Sequence, residues 1–79
     1  MDMNINIHEF SEQFNKEYDF LYNNTGYVAG YNEAVKSFDD FLENHSSFVS
    51  EFCKYRQDII SSDREAAAFM FALDTLMTR

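Results

Sequence analysis

The stretch YVAGYNEAVKSFDDFLENHSSFVSEFCKYRQDII, residues 27–60, decides the fold. Tyr27, Val28, Tyr31, Ala34, Val35, Phe38, Phe41 and Leu42 recur with the 3.6-residue period of an amphipathic helix, which predicts a helix over about 27–44. At Asn44-His45-Ser46-Ser47 the reading forks. Four weak helix formers in a row favour a break, with Ser47 as N-cap of a further helix over about 47–60. The phase nevertheless continues. His45, Phe48, Val49, Phe52 and Ile60 extend the apolar face, and Glu33, Lys36, Asp40, Glu43, Ser47, Glu51, Lys54 and Asp58 make one polar stripe. The alternative is therefore a single helix over 27–60, roughly 52 Å long at 1.5 Å per residue, which would require a dimer. The break is the favoured reading.

Working outward, the N-terminal side predicts a helix over about 7–22. Asn6 and Glu9 stand as N-cap and N3 of a capping box, and Ile7, Phe10, Phe14, Tyr18 and Leu21 share one face. Glu12 is placed to pair with Lys16. Asn23-Asn24-Thr25-Gly26 reads as a turn. On the C-terminal side Ser62-Asp63-Arg64-Glu65 is a clear capping box, opening a helix over about 62–78 whose apolar residues, Ala66 to Leu73 especially, run around much of its circumference. There is no proline, and no run alternates with period two beyond Asn4 to Ile7. Gly26, Gly30 and Ala34 form a small-residue ridge at the start of the second helix, read first as a turn residue and a tolerated glycine. The expected fold is all-α: one domain over 1–79, a small bundle of three to four helices.

A chain of 79 residues must close a dense core, and 46% apolar residues with nine Phe and five Tyr supply the material. The charge is uneven. Residues 1–51 carry ten Asp/Glu against Lys16 and Lys36, whereas residues 52–79 carry four acids against four bases, so the whole net charge of −8 lies in the first part. That balance argues against direct contact with nucleic acid or an anionic membrane and for a basic protein partner. With Cys53 alone, no internal disulfide is available. Neither a signal peptide nor a membrane-spanning run is visible, so the expected location is cytoplasmic, or the host cytoplasm if the chain is phage-encoded.

Chemical motifs are sparse. His8-Glu9-Phe10-Ser11-Glu12 begins like a zincin but lacks the second histidine, and His45 and Cys53 have no third ligand in register. Phosphate-binding glycine loops and Cys-x-x-Cys are absent, so neither catalysis nor a cofactor or metal is expected. The carboxylates are more informative. Glu33, Asp39, Asp40, Glu43 and Glu51, with Glu9, Glu12 and Asp19 on the first helix, are the candidate partner-binding faces, because acids at helical spacing stand ~5–6 Å apart and imitate a row of phosphates. The plainer alternative is a solvated face that keeps the chain dispersed. Phe20, Tyr22, Tyr27 and Tyr31 are candidate interface aromatics, and Phe69, Met70, Phe71 and Leu73 candidate subunit contacts.

In size, acidity, aromatic content and lack of motifs, the chain is similar to the small proteins by which phages and mobile elements disable host enzymes, including anti-restriction and anti-CRISPR inhibitors. That likeness is one of composition. It implies a non-enzymatic inhibitor that blocks a nucleic-acid-handling enzyme, with nucleic-acid mimicry as one route. The competing expectation is an antitoxin-like, immunity-like or regulatory subunit acting through an obligate homodimer or hetero-complex.

Overall fold

The computed structural model describes residues 5–24 and 28–78. Four helices appear in chain order: α1 Ile7–Asn23, α2 Tyr31–Asn44, α3 Ser46–Arg56 and α4 Asp63–Met77. The all-α bundle expected from periodicity is the fold observed, with no strand among the described residues.

The helix starts follow local chemistry. Asn6 Oδ1 accepts the Glu9 N–H at 2.9 Å, and Ser62 Oγ accepts the Glu65 N–H at 3.1 Å, so both expected N-caps are made. Asparagine closes α1 and α2 by one device. The Asn23, Asn24 and Asn44 amides donate to the carbonyls of Asp19, Phe20 and Asp40, at 2.9, 2.7 and 2.9 Å, satisfying acceptors that a helix end leaves open.

Three boundaries differ from the sequence reading. α2 begins at Tyr31, not 27, because Gly30 sits at φ +82°, a left-handed conformation open to glycine. Gly30 is thus a cap, which removes the small-residue ridge; Gly26 and Tyr27 lie outside the described residues. The break expected near 44–47 falls on one residue, His45, at φ −137° and ψ 47°. Its N–H still bonds Phe41 O at 2.8 Å while its carbonyl receives the Phe48 and Val49 N–H groups, so it serves as last cap of α2 and N-cap of α3, the role expected of Ser47. The single-rod alternative is therefore not adopted. Its ~52 Å would not fit in described residues whose longest extent is 36 Å.

α3 ends at Arg56, not 60. Gln57 takes φ 60°, its N–H reaches Lys54 O at 3.3 Å, and the Asp58 N–H returns to Cys53 O at 3.1 Å. Those two bonds make a Schellman motif with glutamine where glycine is usual.

The core is a cluster of phenylalanine rings from all four helices. Phe10, Phe48, Phe52 and Phe69 are fully buried. Phe69 of α4 is the hub: its ring centroid lies 4.8 Å from Phe10, 5.2 Å from Phe38, 5.5 Å from Phe41 and Phe52, and 6.0 Å from Phe48. Most of these pairs meet edge to face, the arrangement the ring quadrupole favours, worth about 0.5–1.5 kcal/mol each beyond burial. Ala66, Ala67, Ala68 and Ala72 are buried around the same helix, which lets α1 and α2 approach it closely. No helix of the described residues is long and apolar enough to cross a membrane.

Candidate partner-binding surface

α2 buries Ala34 and Phe38, half-buries Tyr31, Val35 and Phe41, and turns Glu33, Lys36, Asp39, Asp40 and Glu43 to solvent. The amphipathic repeat thus sorts most apolar residues inward and the acids outward, but Leu42, expected on the apolar face, is left 40% exposed near the end of the helix. Among the described residues no ion pair involves Glu33, Asp39, Asp40, Glu43 or Glu51. Glu51 is exposed on α3, beyond the change of backbone direction at His45. The polar stripe read through residues 33–58 is therefore two segments, not one straight row.

On α1, Glu9, Glu12 and Asp19 are all exposed. Glu12 is engaged within the chain: His8 Nε2 lies 3.3 Å from its Oε2, and His8 Nδ1 lies 2.6 Å from the Tyr55 hydroxyl of α3. Glu9 also has a partner. The open carboxylates of the candidate faces are consequently those of α2, with Asp19 and Glu51 at a distance along the chain.

The aromatic candidates divide. Phe20 and Tyr22 are exposed, at 51% and 59%, whereas Tyr31 packs half-buried against the core and Tyr27 lies outside the described residues. The Arg64 guanidinium stands 5.0 Å from the Tyr22 ring centre and 6.0 Å from that of Tyr18, a cation–π arrangement joining α1 to α4. Of the residues considered as subunit contacts, Phe69 and Leu73 are enclosed in the chain's own core, and Met70 and Phe71 pack half-buried against it.

The His45 ring lies 4.7 Å from Phe41, tilted by 31°, and Cys53 is half-buried against the core. Among the described residues, no group of three or more His, Cys, Asp or Glu side chains is placed to hold a metal ion.

An ion pair that sequence spacing did not suggest closes one end of the bundle. Arg56 Nη2 lies 3.0 Å from Glu65 Oε2, with the guanidinium 4.9 Å from the Phe14 ring centre and 5.6 Å from that of Phe52. Glu65 Oε1 accepts from Ser61 N–H at 2.9 Å and from the Ser61 and Ser62 hydroxyls at 3.2 Å each. Burial works against ionising Glu65. The Ser61 hydrogen bonds and the bond and charge of Arg56 outweigh it, holding the carboxyl below the usual glutamate value. The capping box pointed to Glu65, but nothing in the spacing pointed to Arg56 as its partner.

No protein family, curated protein or solved structure matches this chain.

Proposed function

We propose that the chain is a non-enzymatic binding protein that inhibits a nucleic-acid-handling enzyme by presenting its acidic helix faces to the enzyme's basic groove. The observation that carries this reading is the outer side of α2, where Glu33, Asp39, Asp40 and Glu43 stand exposed and, among the described residues, without an ion pair. Carboxylates at helical spacing ~5–6 Å apart offer a basic groove acceptors at intervals close to those of phosphates. Net charge of −8 on 79 residues also steers the chain toward a basic partner over roughly a Debye length, about 8 Å at physiological salt. A subunit role through α4 has less support, because Phe69 and Leu73 already have their apolar partners inside the chain.

The test is affinity capture from lysate of the cell in which the chain acts, with nuclease treatment to remove nucleic-acid bridges. The expected result is one basic protein retained, released by rising salt, with affinity lowered at least 100-fold by the combined charge reversals Glu33→Lys, Asp40→Lys and Glu43→Lys. Retention of the same partner at unchanged affinity by the triple variant would remove α2 from the mechanism.

A further inference from the structure

A cleft of about 240 Å³ lies between the flank of α2 and the segment leading into α4. Its apolar walls are Val35, Phe38, Ile60 and Ala66, and its polar lining is Asp39, Ser61, Ser62 and Asp63. The volume falls below the ~300–1,000 Å³ of small-molecule pockets and suits one inserted side chain.

The hydrogen-bonding state of the lining fixes what that side chain must be. Ser61 and Ser62 are the lining residues whose side chains carry donors, and both hydroxyls are committed to Glu65 Oε1. Asp39 and Asp63 accept only, both are exposed, and among the described residues neither forms an ion pair or a side-chain hydrogen bond. The cleft therefore presents acceptors without free side-chain donors. The α4 N-terminus contributes about +0.5 of a charge against −2 from the two aspartates, leaving about −1.5 at the rim, so a cation is favoured and an anion repelled. A guanidinium matches better than an ammonium. Its fork supplies five donors and its weakly hydrated faces and methylene stem suit the Val35, Ile60 and Phe38 walls.

We infer that this cleft is the slot into which the basic partner inserts an arginine side chain. The inference rests on the binding function proposed above and adds a fixed anchoring point to it, one that general charge attraction does not supply.

The test needs no partner. N-acetyl-tetra-arginine amide and N-acetyl-tetra-lysine amide are titrated into the protein while the methyl resonances of Val35, Ile60 and Ala66 are followed by NMR. The arginine peptide is expected to shift those methyls saturably and to bind at least three-fold tighter than the lysine peptide. Asp39→Asn with Asp63→Asn should abolish the methyl shifts, while Glu17→Gln with Asp74→Asn, an equal change in charge near the other end of α4, should keep them; unshifted core resonances report that each variant is folded. Equal binding of the two peptides, or equal loss in the two double variants, would overturn the slot. Because the peptide experiment and the lysate capture use different ligands, failure of the slot leaves the binding function to be judged by capture, and the reverse.

Discussion

Replacing Glu65 by Gln is the sharpest perturbation of the stability argument, because it keeps shape and removes charge. In the native chain the carboxylate accepts from Ser61 N–H, from the hydroxyls of Ser61 and Ser62, and from Arg56 Nη2. Glutamine retains one acceptor oxygen and turns an NH₂ group toward a donor. Arg56 then keeps its charge beside Phe14 and Phe52 without its nearest carboxylate, and its Nη1 is already buried with no hydrogen-bond partner among the described residues. Removing one partner of a buried pair costs ~3–5 kcal/mol. The Arg56 side chain is 20% exposed and Asp58 Oδ2 lies 3.7 Å away, so partial solvation and a second carboxylate reduce the expected loss to about 2–3 kcal/mol. Against a total of about 4–12 kcal/mol for a chain of this length, that is a large fraction. The pH dependence has a definite sign. The folded-state value of Glu65 is lowered, so its contribution is fully present above the ordinary glutamate value of ~4.3 and is lost as pH falls through the lower folded value. Urea unfolding followed by circular dichroism at pH 7 and at pH 3 measures both effects. The difference between wild type and Glu65→Gln should be about 2–3 kcal/mol at pH 7 and shrink toward zero in acid. A difference below about 0.5 kcal/mol at pH 7, or one of equal size at both pH values, would refute the reasoning.

Two further outcomes test the core and the α3 terminus. Phe69→Ala removes the ring that five others meet, with an expected cost of about 3–5 kcal/mol, while Phe69→Leu should keep the chain folded at a cost of about 1–2 kcal/mol; thermal melts of both variants check the ranking. Gln57 holds a left-handed conformation that disfavours any residue with a Cβ by ~1–2 kcal/mol, so Gln57→Gly should stabilise by about 0.5–1 kcal/mol in urea unfolding, the extra freedom of unfolded glycine offsetting the remainder.

What was legible in the sequence was local. Asn6 with Glu9 and Ser62 with Glu65 announce helix starts because capping is decided within four residues, and the repeat from Tyr31 to Phe41 sorts inside from outside without reference to any other helix, failing only at the exposed Leu42. The misplaced ends have physical reasons of the same scale. Gly30 looks like a helical residue until its positive φ is known, and Gln57 lacks the glycine signature that usually marks a helix stop. Ser47 is the better cap by composition, but His45 is where the chain turns. The candidate carboxylates of α2 were readable as an outer face. What escaped were features that need tertiary neighbours: Arg56 lying over Phe14, His8 meeting Tyr55 across 47 residues, and the cleft that joins Val35 to Ile60.

The position of Phe69 has a consequence for how the bundle assembles. Helical bundles usually fold fast because their contacts are local. Here the hub ring sits on the last helix and meets Phe10 on the first, and Glu17 reaches Thr75 across 58 residues. Bringing Phe69 against Phe10 closes a long loop, and a chain in which α4 has not yet docked leaves the rings of Phe10, Phe38, Phe48 and Phe52 without their common neighbour. The part of the chain left open during that interval, residues 1–62, carries 11 Asp/Glu against Lys16, Lys36, Lys54 and Arg56, a net −7 of the chain's −8. Mutual repulsion between such half-built chains opposes their sticking together, so the charge proposed to face a partner in the finished protein also guards the unfinished one.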